Sequence, residues 1–292
     1  MSTARIALVT GANQGLGRAL VEGLAARLHP DDRVLLTGRR ADAVEEAAAA
    51  VTTAVPDGAR VEPRVLDVRD GRAIADLAAE LGAVDVVLSN ATARMSPEED
   101  PADRVDAVAE TNNLATTHVL RAFAPRLRPG GRLLVVASAL GTLDKLDARV
   151  RPRFDGLDDL DAVDDLVARW RAAVRAGRAV AEGYGAWLNI PSKVLQVAAV
   201  RALAVRRRDD DLAHRRLVAA LCPGLIDTDA SRPWFEDMSQ AQTPAQAAAW
   251  PVDLALGDLP PDTLAAYYGE LVQFGRVIPW RAGVAVPHRA LR

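Results

Sequence analysis

The sequence predicts an α/β fold in which a doubly wound parallel sheet carries helices on both faces. Three observations predict it. Short apolar runs alternate with longer segments of helical period through the first half of the chain. The apolar runs are continuous Val/Leu stretches, as strands buried on both faces require. A glycine-rich turn stands between the first apolar run and the first amphipathic segment.

The elements follow in order. Arg5 to Thr10 (RIALVT) reads as a buried strand, and Arg18 to Leu28 as a helix with Leu20, Leu24 and Leu28 on one face. Arg33 to Thr37 is a second strand and Ala41 to Val55 an Ala-rich helix. Arg60 to Leu66 is a third strand, followed by a helix over Arg72 to Leu81. Val84 to Ser89 is a fourth strand, Val105 to Leu127 a helix, and Arg132 to Ala137 a fifth strand. The rhythm then changes. Asp144 to Glu182 is charged and of helical period, with a polar amphipathic helix region over Asp158 to Ala181. Ser192 to Arg207 is a strong helix and Leu217 to Cys222 a sixth strand. The proline-bearing tail reads as loops and short helices. No linker composition appears, so residues 1–292 are expected to form one domain with a helical insertion over about 142–186.

Composition narrows the function. The net charge of −3 gives no pull toward nucleic acid or an anionic membrane. The charged run Arg206 to Asp211 reads as a solvated helix end. One cysteine, Cys222, excludes an internal disulfide and a cysteine-based zinc site, and the four histidines lie far apart, so no metal is expected. No apolar run is long enough to span a bilayer, and with a first strand from about Arg5 running straight into a motif no signal peptide is expected. A cytoplasmic protein is the expectation. Lysine occurs only at residues 145 and 193, in a chain rich in arginine.

The turn reads Thr10-Gly11-Ala12-Asn13-Gln14-Gly15-Leu16-Gly17. Gly11 suits a tight turn, Gly15 a close approach of pyrophosphate to the backbone, and Gly17 close packing of helix on sheet. The helix N-terminus offers unpaired N–H groups and a partial positive charge. The second strand ends in Thr37-Gly38-Arg39-Arg40, with no carboxylate to hold two ribose hydroxyls. Arginine suits a 2′-phosphate instead, so NADP(H) is favoured over NAD(H).

A TGxxxGxG turn after a first strand resembles the short-chain dehydrogenase/reductase superfamily, a Rossmann-type family of oxidoreductases. The resemblance covers nearly the whole chain. It implies that Asn13, Gln14 and Leu16 belong to the cofactor turn, that Asp67 and Val68 contact adenine, and that Asn90-Ala91 is the family's NAG motif with Thr92 in place of the last glycine. It implies that Ser138 hydrogen-bonds the substrate oxygen, that Asn112 (with Asn113 as a lesser choice) orders a relay water, and that Lys193 holds the nicotinamide ribose. Pro223, Gly224 and Thr228 match the PGxxxT loop that contacts the carboxamide. The family's catalytic Tyr falls four residues before the Lys, and here that position is Asn189. A carboxamide can donate a hydrogen bond but cannot ionise near neutral pH, so Asn189 can polarise a carbonyl without serving as its acid. Tyr184 has no helical spacing that would replace it.

Three readings follow: redox chemistry with a proton from elsewhere, a cofactor site reused for binding or a non-redox step, and an engineered change at Asn189, against which the neighbours Ile190 and Pro191 argue. Retention of Lys193 favours the first. The long segment between Ser138 and Asn189 resembles that of monomeric carbonyl reductases and implies a monomer. Trp187, Trp234 and Phe235 are expected to line a pocket for a flat or apolar small-molecule carbonyl or alcohol. Trp170, Trp250 and Trp280 are assigned to packing.

Overall fold

The computed structural model describes residues 4–281. Eight strands form one sheet in the order β3-β2-β1-β4-β5-β6-β7-β8. They are β1 (Ile6–Val9), β2 (Arg33–Gly38), β3 (Arg60–Val65), β4 (Val84–Ser89), β5 (Leu127–Val136), β6 (Leu217–Leu221), β7 (Leu271–Gln273) and β8 (Arg276–Ile278). All neighbours are parallel except β7 and β8. Leu8 sits between Leu35 and Val87 in register, and all three are fully buried, because helices cover both faces. The strand order reverses between β1 and β4, which opens a crevice at their carboxyl ends.

The helices are α1 (Gly15–Ala25), α2 (Ala41–Ala54), α3 (Gly71–Leu81), α4 (Pro101–Val108), α5 (Ala115–Phe123), α6 (Leu160–Arg175), α7 (Asn189–Ala213), α8 (Pro244–Leu256) and α9 (Pro261–Tyr267). On one layer α1 packs against α2 and α8; on the other α5 packs against α3 and α7. Side chains stop the frayed ends: Asp70 caps α3, Asp159 caps α6, and Thr243 with Gln246 forms a capping box on α8.

The doubly wound class is as expected, and several details differ. The helix expected over Val105 to Leu127 is broken: a π turn over Ala109–Leu114 separates α4 from α5, and a 3₁₀ turn over Ala124–Arg126 leads into β5. The strand β5 therefore starts five residues early. Only Leu160–Arg175 of the charged insertion is a regular helix, and Gly177, at φ 68°, follows its end. The active-site helix begins at Asn189, since Pro191 in its first turn gives up no helical bond. The tail contributes the hairpin β7–β8, whose three-residue strands are too short for a period of two to show. The run Arg206 to Asp211 is not wholly solvated, because Asp211 is fully buried.

The insertion has its own apolar cluster. Trp170 and Tyr184 are fully buried there with Leu143, Val150 and Phe154, against Val108 of α4 and Leu195 of α7. The Tyr184 hydroxyl accepts from Arg153 at 3.1 Å, and burial pushes its pKa up. Trp280 packs edge-on against Phe154, and Trp250 against Phe274. Among the described residues no helix is long and apolar enough to cross a membrane, and no group of three or more His, Cys, Asp or Glu could hold a metal ion.

Candidate active site

The glycine turn sits at the reversal point of the sheet. Gly11 has φ 63°, and a Cβ there would lie 2.7 Å from the Ala91 Cα. A Cβ on Gly17 would lie 2.3 Å from the Gly11 oxygen and 2.6 Å from Asn90 Nδ2. Neither position can take a larger residue, so α1 is held hard against the sheet with its N-terminus facing the crevice. Thr10 fixes the turn to β4: its Oγ1 accepts from the backbone N–H of both Asn90 and Ala91, at 2.9 and 3.0 Å. Asn90 Nδ2 returns bonds to the oxygens of Thr10 and Gly11. Ala12 N–H bonds to Thr37 O, and the Asn13 carboxamide lies over Gly38 at the end of β2. Leu16 faces the core, while Gln14 is exposed at the start of α1.

The end of β2 is basic. Arg39 is exposed and, among the described residues, has no carboxylate within ion-pair distance, whereas Arg40 faces Asp42 at 3.9 Å. Asp67 is clasped by Arg69, whose guanidinium holds the carboxyl below its usual range. Its neighbour Val68 is buried. The glycine cradle and the unpaired Arg39 fit a 2′-phosphorylated dinucleotide by size and by charge.

Beyond the turn, Ser138 lies two residues past β5 and caps a 3₁₀ turn over Ala139–Gly141, its Oγ accepting from Leu140 N–H at 3.2 Å. Asn189 opens α7, partly accessible, and its side chain makes no hydrogen bond to any described residue. Lys193 lies one turn further on. Its Nζ donates to Gln196 Oε1 at 2.8 Å, and burial lowers its pKa to about 8 against a weaker opposing pull from Cys222. The Cys222 thiol is pushed up by burial.

Asn112 is fully buried inside the π turn. Its Oδ1 accepts from Ala93 N–H at 2.8 Å and Thr92 Oγ1 at 3.2 Å, and its Nδ2 donates to Ser192 Oγ at 3.0 Å. Asn113 Nδ2 donates to Ser192 O at 2.8 Å. Asn112 thus pins the first turn of α7 to the loop after β4, and Asn113 ties that same turn to the π turn.

The loop after β6 crosses the crevice. Gly224 has φ 89° and lies against Gln242, whose Nε2 donates to Pro223 O. Thr228 approaches Gly15 on one side and bonds Ser231 Oγ on the other. Trp234 Nε1 donates to Met95 O at 3.2 Å, and its ring meets Trp187 at 6.1 Å. Arg94 donates to Gln14 Oε1 at 3.2 Å and faces Asp229 at 3.7 Å. Trp187 and Trp234 are therefore brought together, although the Trp187 ring is itself largely exposed, and Phe235, half-exposed, joins neither ring. A cavity of about 340 Å³ lies beside Trp187 and Ile190, walled by Val180, Tyr184 and Lys145 of the insertion. Sequence reasoning passed over Thr10, Thr116, Ser192, Gln196 and Arg94. Only Thr10 carried a signal, its place in the glycine motif.

A glycine turn of this kind at the switch point of a parallel sheet defines a Rossmann-type protein. Residues 5–147 match the short chain dehydrogenase family model. The chain is 32% identical to carbonyl reductase [NADPH] 3 of Mus musculus, covering 96% of this chain and 99% of the relative. It is 31% identical to carbonyl reductase [NADPH] 3 of Homo sapiens over the same shares. Among solved structures, salutaridine reductase from Papaver somniferum superposes with a TM-score of 0.74 at 20% identity, over 91% of this chain and 99% of that one. The chain belongs to the short-chain dehydrogenase/reductase family, among its carbonyl reductase-like members.

Proposed function

We propose that the chain is an NADP(H)-dependent oxidoreductase acting on a small carbonyl or alcohol, with a carboxamide where a phenol would stand. One observation carries this reading. Lys193 is a largely enclosed cation at the crevice, and among the described residues its only side-chain partner is neutral. An isolated charge held this way is costly unless a ligand uses it.

The nicotinamide, when bound, supplies or accepts the hydride. The rest is the work of this chain. Gly11, Gly15, Gly17 and the start of α1 receive the pyrophosphate, and Arg39 the 2′-phosphate. Lys193 presents its charge to ribose hydroxyls. Ser138 donates to the substrate oxygen, and Asn189 Nδ2 adds a second hydrogen bond. Neither group ionises near neutral pH, so the proton on that oxygen comes from another source. Trp187 and Trp234 exclude water from one side and favour a flat substrate. The chain is read as a single-domain monomer, with α6 covering α4 and α7; light scattering on the eluting protein checks its mass.

Fluorescence titration with NADPH, followed by aromatic ketones, quinones and aldehydes at 340 nm, tests the reading. Binding with NADPH oxidation supports it. Tight binding without oxidation favours a second reading, a non-redox elimination or cyclisation or a cofactor sensor, for which the neutral residue at 189 speaks. No binding removes both. Arg39→Ala is expected to erode the preference for NADPH over NADH by about tenfold, near 1.4 kcal/mol, measured as the ratio of the two dissociation constants.

A further inference from the structure

Lys193 is the first member of a chain of side chains. Its Nζ donates to Gln196 Oε1 at 2.8 Å. Gln196 Nε2 donates to Thr116 Oγ1 at 3.2 Å, and Thr116 Oγ1 donates to the backbone oxygen of Asn112 at 2.6 Å. Gln196, Thr116 and Asn112 are all buried. Every direction in the chain is forced. An ammonium only donates and a backbone carbonyl only accepts, so the amide and the hydroxyl between them have one orientation each. Turning the Gln196 amide over would set its NH₂ against the ammonium. The far end is held as firmly, because Asn112 is bonded to Ala93, Thr92 and Ser192.

We infer that Gln196 is a positioning residue: with Thr116 it tethers the Lys193 ammonium to the π turn of Asn112 and fixes it as an immobile charge at the crevice. A carboxamide can hold an ammonium but does not take up or release a proton near neutral pH. The link is a tether and not a proton wire. What the fixed charge is for rests on the proposed function; the tether belongs to the chain alone. Among the described residues, the titratable group that faces Lys193 is Cys222, just after β6, and it favours the charged form.

The two lysines make the test direct. Carbon-13 NMR at lysine Cε of the full-length protein, without cofactor, gives one signal from Lys193 and one from the exposed Lys145. A tethered lysine shows two inequivalent Hε protons; a mobile one shows their average. The wild type is expected to show inequivalent Hε protons at Lys193 and a titration midpoint near 8. Gln196→Glu keeps the shape and adds a negative charge, and is expected to raise the midpoint by about one pH unit or more. Gln196→Leu removes a hydrogen bond to the charged form, so it lowers the midpoint and averages the Hε protons. Thr116→Val cuts only the far end and is expected to average them too, which covers a Gln196→Leu protein that does not fold. Averaged Hε protons in the wild type, or an unmoved midpoint in Gln196→Glu, overturns the tether. A role in packing alone would move neither. NADPH affinity is read separately: a protein that binds no NADPH but shows this titration keeps the tether and loses the proposed function.

Discussion

The two ends of α7 treat buried charge in opposite ways. Near its C-terminus, Asp211 is fully buried and fully answered. Its carboxylate accepts from Arg207 at 2.8 and 3.1 Å, from the Tyr268 hydroxyl at 2.5 Å and from Arg216 at 3.4 Å. The carboxylate in turn helps push the Tyr268 phenol well above its usual range, after burial itself. Near the N-terminus, Lys193 has one neutral partner and a pKa drawn down toward neutrality. One helix thus carries a saturated site where only the fold is at stake and an unsaturated one at the crevice. Charge compensation that is complete stabilises; charge left short is available to a ligand.

Substitutions at the two ends should therefore differ in sign. The largest effect is expected at Asp211→Ala, which strands two guanidinium groups and a buried hydroxyl. A loss of about 3–5 kcal/mol, read from the midpoint of urea unfolding, is expected. A loss near zero would break the contrast. Ser138→Ala should leave that midpoint in place and lower kcat/KM for carbonyl reduction about 10²–10³-fold. An unchanged rate would remove Ser138 from the chemistry. The smallest effect is at Lys193→Met, and it is favourable: a stability gain of about 1 kcal/mol at pH 7, with weaker NADPH binding. The sign follows from the lowered pKa. Below about 8 the lysine is charged in both states, and the folded state bears the whole desolvation cost. As pH rises from there toward the ordinary lysine value near 10.5, the folded state sheds its proton first, and the cost disappears. The advantage of the Lys193→Met protein over the wild type should fade across that window. A gain that persists at high pH would mean that packing, and not charge, sets it.

Much of this was legible in residue order. Continuous apolar runs marked β1, β2, β4, β5 and β6, alternation with helical segments marked the polar edge strand β3, and the glycine turn marked the crevice, because all depend on local chemistry. The hairpin β7–β8 was not legible, since three-residue strands carry no period. Nor was the burial of Asp211. Seen in the sequence it is the last acid of an Arg/Asp run, and only the fold brings Tyr268 and Arg216 to it. Gln196 was hidden for the same reason. A glutamine in an amphipathic helix reads as ordinary until Thr116, eighty residues away, meets it. Asn189 was visible because a single residue stood against a strong pattern.

The π turn over Ala109–Leu114 carries one more consequence. Such a turn is an α-helix with one residue too many. The wide turn absorbs that residue within a single revolution, so α4 before it and α5 after it keep the phase an unbroken α-helix would give them. Deleting one residue there would close the turn to α geometry while α4 stayed on α6 and α5 on α3. The extra residue is therefore a local swelling of one rod, and what it governs is the presentation of Asn112 and Asn113, both inside the turn, to Ser192 of α7.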